Sequence, residues 1–216
     1  MMRGSGRALV SAVVATVALA GCSSSSGGGG TAADTGKNGD SAPSKAAGSA
    51  AAEKGVTLGG AGSACELPVT FDLAADWKPA AVEVEPGSDL AALGEQGPVT
   101  MVCEVDAKPA GNIGYLRVWQ GEPSDDAPRA VLEAFVTAEP GAGRATYTDF
   151  RADSLAGTEV GYTVDGELLD EPKAERAFAV TTPDGPVVVH LGGLDSQEHQ
   201  EMLPAYELAR RTLKPS

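Results

Sequence analysis

The chain has 216 residues, a formal charge of −14 and 5% aromatic against 42% hydrophobic residues. A folded part of that length has a core built from Val, Leu and Ala, and its acidity excludes nucleic acid, which is gripped by a basic footprint. The same acidity excludes adhesion of the domain surface to an anionic membrane face and favours solubility.

The N-terminus comes in three parts. Arg3 and Arg7 precede Ala8 to Ala20, an uncharged run with the length of a signal-peptide core and too short for a comfortable membrane span of about 20 residues. Leu19-Ala20-Gly21-Cys22 follows, and then Ser23 to Ser26 and Gly27 to Gly30. This stretch resembles the lipobox of bacterial lipoproteins at every position. The resemblance implies that residues 1–21 are a signal peptide that is removed. It also implies that Cys22 carries diacylglyceryl and palmitate-type chains, anchoring the protein on the extracytoplasmic face of the cell membrane. Two or more acyl chains suffice for stable anchoring, at about 0.8 kcal/mol per buried methylene. Loss of Arg3 and Arg7 brings the mature chain to −16. Residues 22–62 read as the lipidated cysteine and a Ser/Gly/Ala tether, with Val56 and Leu58 its only large apolar side chains. Such a segment buries too little surface to offset its ordering entropy. At about 38 residues it spans roughly 35 Å as a flexible chain.

A single folded domain is expected over residues 63–216. Leu67, Val69, Phe71 and Leu73 alternate as a strand that Trp77 closes, and Ala81 to Glu85 reads as a second short strand. Ser88 caps a helical turn over Asp89 to Leu93, with Gly94 as its stop. Val99, Met101, Cys103 and Val105 share the apolar face of the next strand. Lys108 to Asn112 is turn chemistry. Ile113 to Gln120 is a strand with Ile113, Tyr115, Arg117 and Trp119 on one face, and Leu116 and Val118 on the other. A helix follows, capped by Ser124 or Asp126, with Pro128 in its first turn and Val131, Leu132, Phe135 and Val136 as its apolar stripe. Glu139-Pro140-Gly141 ends it. Strands are expected at Ala145 to Ala152, Gly157 to Val164 and Glu175 to Thr182, the last returning through Pro183-Asp184-Gly185 as Val187 to Leu191. Asp195 or Ser196 caps the closing segment, in which Pro204 predicts a kink or short turn before a helix over Leu203 to Leu213. Leu203, Tyr206 and Leu213 are expected to face the sheet.

Strands, helix, hairpin strands and helix in that order make an α+β fold with a mostly antiparallel sheet flanked by helices. Phe71-Asp72-Leu73 leading to Trp77, the strand Gly157 to Thr163, the hairpin after it and the closing Arg211-Thr212-Leu213 resemble the PsbP-like fold and LpqN-type surface lipoproteins of actinobacteria. The Pro and Gly usual before that Trp are replaced by Ala75 and Asp76. The resemblance implies an α/β/α sandwich over about residues 65–214. It also implies an accessory or interaction role, with no catalytic site to carry over.

With Cys22 lipidated, Cys65 and Cys103 remain as a pair in an exported protein. They read as one disulfide, against the alternative of two free buried thiols. His190 and His199 are the only histidines; His190, Asp195 and His199 offer a divalent site, against which stands helix capping by the carboxylates of this segment. The capping reading is preferred, so no metal and no cofactor are expected. Ser154 sits in no nucleophile elbow, and Asp125-Asp126 and Asp170-Glu171 are sequence neighbours rather than a spaced acid/base pair. No catalytic constellation stands out. Trp77 and Trp119 are either core anchors or, together with Arg117, a contact surface, because Trp, Tyr and Arg dominate binding hot spots. The expectation is a non-enzymatic module that binds a protein or cell-envelope component. The alternative is a small-ligand carrier with an apolar pocket.

Overall fold

The computed structural model describes residues 51–84, 87, 91–166 and 171–216. The expected leader over residues 1–21, Cys22, the expected tether up to residue 50 and the start of the turn expected at Ser88 lie outside the described residues. In chain order the elements are β1 (Lys54–Leu58), β2 (Val69–Ala74), β3 (Lys78–Ala81), β4 (Glu95–Gln96), β5 (Val99–Asp106), β6 (Tyr115–Gln120) and α1 (Pro128–Thr137). They continue with β7 (Ala142–Ala152), β8 (Leu155–Val164), β9 (Lys173–Thr182), β10 (Gly185–Gly192), α2 (Ser196–Thr212) and β11 (Lys214–Pro215). Short 3-10 turns cover Ala91–Leu93 and Lys108–Ala110.

The fold is α+β. An eight-stranded sheet runs β3-β5-β6-β10-β9-β8-β7, with β4 also on β5, and a three-stranded sheet runs β1-β2-β11. Every pairing between these strands is antiparallel. β7 to β10 form a meander, so the chain must cross from β6 to the far edge. Helix α1 makes that crossing over β8 and β9. The β9–β10 hairpin closes at Gly185, whose φ of +111° and approach to the Gly121 carbonyl leave no room for a side chain. Among the described residues no helix is long and apolar enough to cross a membrane.

Period-two alternation gives the large sheet two apolar faces and hence two cores. On one face Cys103, Leu116, Val118, Phe178, Val180, Val187, Val189 and Leu191 pack against β2 and the inner side of α2. On the other, Trp119, Val160, Ala177, Ala179 and Val188 meet Val131, Leu132, Phe135 and Val136 of α1, the four positions of the expected stripe. Burying one such aliphatic or aromatic side chain stabilises by roughly 1.5–3 kcal/mol. Cys65 and Cys103 are bonded, fixing the segment before β2 to the middle of β5.

Several expectations need correction. β1 lies inside the stretch assigned to the tether, so ordered chain begins well before residue 63. Only Leu58 of that strand is buried, and pairing with β2 and the Lys54–Asp72 ion pair at 2.8 Å hold it. The second short strand is Lys78–Ala81 rather than 81–85. A register shift between Met101 and Cys103 makes a bulge, so Val99 and Met101 face α1 while Cys103 and Val105 face the other core. α1 starts at Ala127 with no side-chain cap, because Ser124 and Asp126 bond each other and Pro128 begins the helix. α2 is one helix through Pro204, since buried Met202, Ala205, Tyr206 and Ala209 hold it on both sides of the lost N–H bond. Tyr206 and Leu213 are buried as expected.

Candidate functional site

Helix α1 covers only part of its face of the sheet. Beyond its C-terminal end the strands present polar side chains. Arg117 stands between Glu104 of β5 and His190 of β10, and on the adjoining row Tyr115 pairs with Gly192 while Tyr162 pairs with Glu175. The hollow over these residues has a volume of about 240 Å³ and is lined by Tyr115, Arg117, Glu139, Lys173, Glu175 and His190 together with glycines 114, 192 and 193. Its rim is Ile113 and Leu194, which are 56% and 57% exposed. The carboxylate of Glu198 holds that rim, accepting the N–H of Ile113 and, at 2.6 Å, the N–H of Leu194. Glu198 is itself placed by Asp195, which caps α2 by accepting the Glu198 N–H at 2.8 Å.

The floor is a buried charge cluster. Glu175 pairs with Lys173, and its Oε2 lies 3.0 Å from His190 Nε2. Burial opposes the charge on Glu175, but the hydrogen bond and charge of His190 and the ammonium of Lys173 outweigh it and hold the carboxyl below its ordinary range. An ionised carboxylate accepts only, so His190 Nε2 carries a proton and donates to Glu175, while Nδ1 is buried without a partner. Tyr162 O–H lies 3.2 Å from the same Nε2 and donates to Glu139 Oε2 at 3.3 Å. Burial, with Glu139 and Glu175 nearby, raises the Tyr162 pKa far above the ordinary phenol value. Gln96 Nε2 donates to the same Glu139 oxygen at 2.9 Å. Arg117 bonds Glu104 at 2.9 Å through Nε and lies over the Tyr115 ring at 5.0 Å. Among the described residues the lining holds no serine, threonine or cysteine, and its one hydroxyl is the phenol of Tyr115, which accepts from Lys108 at 3.1 Å.

The candidate residues read from the sequence scatter. Trp77 and Trp119, 5% and 4% exposed, sit in opposite cores. They are therefore core anchors and cannot form the contact surface: alternation in β6 turns Trp119 under α1, and Trp77, between β2 and β3, packs into the opposite core. Arg117 alone of that set reaches the cleft. His190 joins it through Glu175, not through Asp195 or His199. Asp195 is a helix cap, and His199 is buried in α2. Among the described residues no group of three or more His, Cys, Asp or Glu is placed to hold a metal ion. Glu175, Lys173 and Glu139 carry no functional reading in the sequence. Their one sequence signal is a charged pair, Lys173 and Glu175, on the same face of a strand whose later residues are apolar. Two larger hollows, about 560 and 630 Å³, flank the segment 123–129. There Arg129 is held by Glu133 and Asp149 by Thr158.

No curated protein sequence matches the chain. Two solved structures show weak likeness. One is PA94, a protein of unknown function from Pseudomonas aeruginosa (17% identity, 68% of this chain and 91% of that one, TM-score 0.40). The other is LpqN of Mycobacterium tuberculosis, described as involved in cell envelope biogenesis (15% identity, 68% and 83%, TM-score 0.40). Residues 35–213 match a family described as uncharacterised lipoprotein. With most of its length inside that match, the chain belongs to this family of lipoproteins, proteins held at a membrane by lipid.

Proposed function

We propose that the protein is a lipid-anchored, extracytoplasmic, non-enzymatic binding module. It contacts a protein or cell-envelope component through the uncovered end of the α1 face. Cys22 carries the lipid after removal of residues 1–21, and the Ser/Gly/Ala tether gives the domain reach, which raises effective concentration at a nearby partner. The Cys65–Cys103 bond fits an oxidising compartment. The observation that carries the reading is the rim. Ile113 and Leu194 stand exposed and side by side above a buried, charged floor. Exposed apolar groups bordering fixed polar ones mark contact sites. The carrier alternative has less support, because the floor of this cleft is charged and the two larger hollows beside residues 123–129 lie open to solvent instead of enclosing a ligand.

Replacing Tyr115 with a photo-crosslinking residue in intact cells tests the face. A reproducible adduct is expected there and not from Val56, which is exposed on the other sheet. The same adducts from both positions would defeat the reading. The anchor is tested by Cys22→Ala, which is expected to abolish fatty-acid labelling; persistent labelling would refute it.

A further inference from the structure

We infer that the cleft binds a primary ammonium group next to a carbonyl, the chemistry shared by a free amino acid and the N-terminal residue of a peptide. The inference rests on reading this cleft as the contact surface and names what it recognises. Gly192 makes the room. A Cβ built there would stand 3.5 Å from His190 Cε1, 3.6 Å from Glu175 Oε2 and 3.7 Å from Arg117 Nη1. A donor and an acceptor thus face one small vacancy.

Two carboxylates border the space, Glu175 through Oε2 and Glu139 from the loop after α1. An ammonium has three N–H donors and no acceptor, which suits a pair of carboxylates. Arg117, whose Nε is taken by Glu104, leaves Nη1 for the neighbouring carbonyl. Charge gives the same answer. Arg117 and Lys173 stand against Glu104, Glu139 and Glu175, one negative charge in surplus, and an ammonium cancels it. A simple anion would face three carboxylates. Ile113 and Leu194 at the rim then supply apolar surface for the side chain of the bound residue.

The test uses the full-length lipidated protein in detergent micelles and saturation-transfer NMR. Alaninamide carries the ammonium and the carbonyl; N-acetylalaninamide lacks the ammonium. Transfer to alaninamide is expected, reduced about tenfold or more for the acetylated compound, the worth of one charge-assisted hydrogen bond. Gly192→Val is expected to abolish it. The new Cβ meets its neighbours at ordinary contact distance, so the fold tolerates it while the branches fill the vacancy. Glu139→Gln, which removes the surplus charge and keeps an acceptor for Tyr162, is expected to weaken transfer several-fold. Equal transfer to the acetylated compound, transfer unchanged in Gly192→Val, or no transfer from alaninamide at tens of millimolar overturns the inference. Alanine and alanylglycinamide separate the sources, since preference for the first points to a free amino acid and for the second to a peptide N-terminus. Adducts at Tyr115 without ammonium dependence would leave the contact face standing and remove only the ligand chemistry.

Discussion

His199 sits in the first turn of α2 with 2% of its surface exposed. Burial lowers its pKa from 6.5 to about 4; Glu175 nearby favours the charged ring, while Arg176, His190 and Lys173 oppose it. The folded state therefore holds it neutral where the unfolded chain would bind a proton. Its contribution to stability is complete above pH 6.5 and is lost as pH falls from there towards 4, because the unfolded state then gains the proton first. A difference of that size is worth roughly 3 kcal/mol, a large share of the roughly 5–15 kcal/mol of a typical domain. Glu175 and Asp72, both held below the ordinary carboxylate range against the cost of burial, lose their contributions in the same direction at still lower pH. Comparison with His199→Leu, which keeps an apolar side chain of similar size, isolates the imidazole. Urea unfolding of both proteins between neutrality and pH 4 is expected to show a steeper fall for the native chain. Parallel curves would refute the reasoning.

Cys65→Ser with Cys103→Ser is expected to cost roughly 4 kcal/mol, since the bond closes a loop with a separation of 38 residues. For a domain of this size that lowers the midpoint by about 8–16 °C. Calorimetry giving a shift within experimental error would remove the disulfide from the stability account. Phe135→Ala is expected to cost about 3–5 kcal/mol, because the ring is fully buried and lies edge-on to both Trp119 at 5.5 Å and His190 at 5.6 Å. Its near-ultraviolet dichroism should lose the Trp119 signal as the indole gains freedom; an unchanged spectrum would mean that Phe135 does not hold it.

What was legible in the sequence was local. The stripe of α1, the β9–β10 hairpin, the cap at Asp195 and the cysteine pair were all set by neighbours within a few residues or by composition. What escaped was set across the sheet. β1 has one buried side chain and exists through its pairing with β2. The bulge in β5 is hidden because Met101-Val102-Cys103 is apolar throughout, so either alternation phase fits. Pro204 reads as a break because the packing that carries α2 past it comes from β2 and β9. The cleft was the least legible part. Its groups come from β6, β8, β9, β10 and the loop after α1, and only antiparallel register brings them together. Trp119 and Arg117 share one face of β6, yet α1 covers the first and stops short of the second.

That difference in cover gives the charges on this face their meaning. Glu139-Pro140-Gly141 ends α1 after ten residues, and Glu139 turns in to meet Tyr162 and Gln96. On the opposite face α2 seals a comparable group, with Arg210 3.6 Å from Glu159 and stacked over Phe150. A buried ion pair is weak support for stability, since apolar replacement of all its members is often neutral or favourable, whereas removing one member costs about 3–5 kcal/mol. If Lys173, Glu175 and His190 are kept for binding, Lys173→Met, Glu175→Leu and His190→Leu combined should leave urea stability within about 2 kcal/mol of the native chain and abolish alaninamide binding. Glu175→Leu alone should be the less stable protein, because it strands the ammonium of Lys173 and the Nε2–H of His190. A triple variant that unfolds as readily as the single one would make the cluster structural, and the case for a ligand at Gly192 would then rest on the vacancy alone.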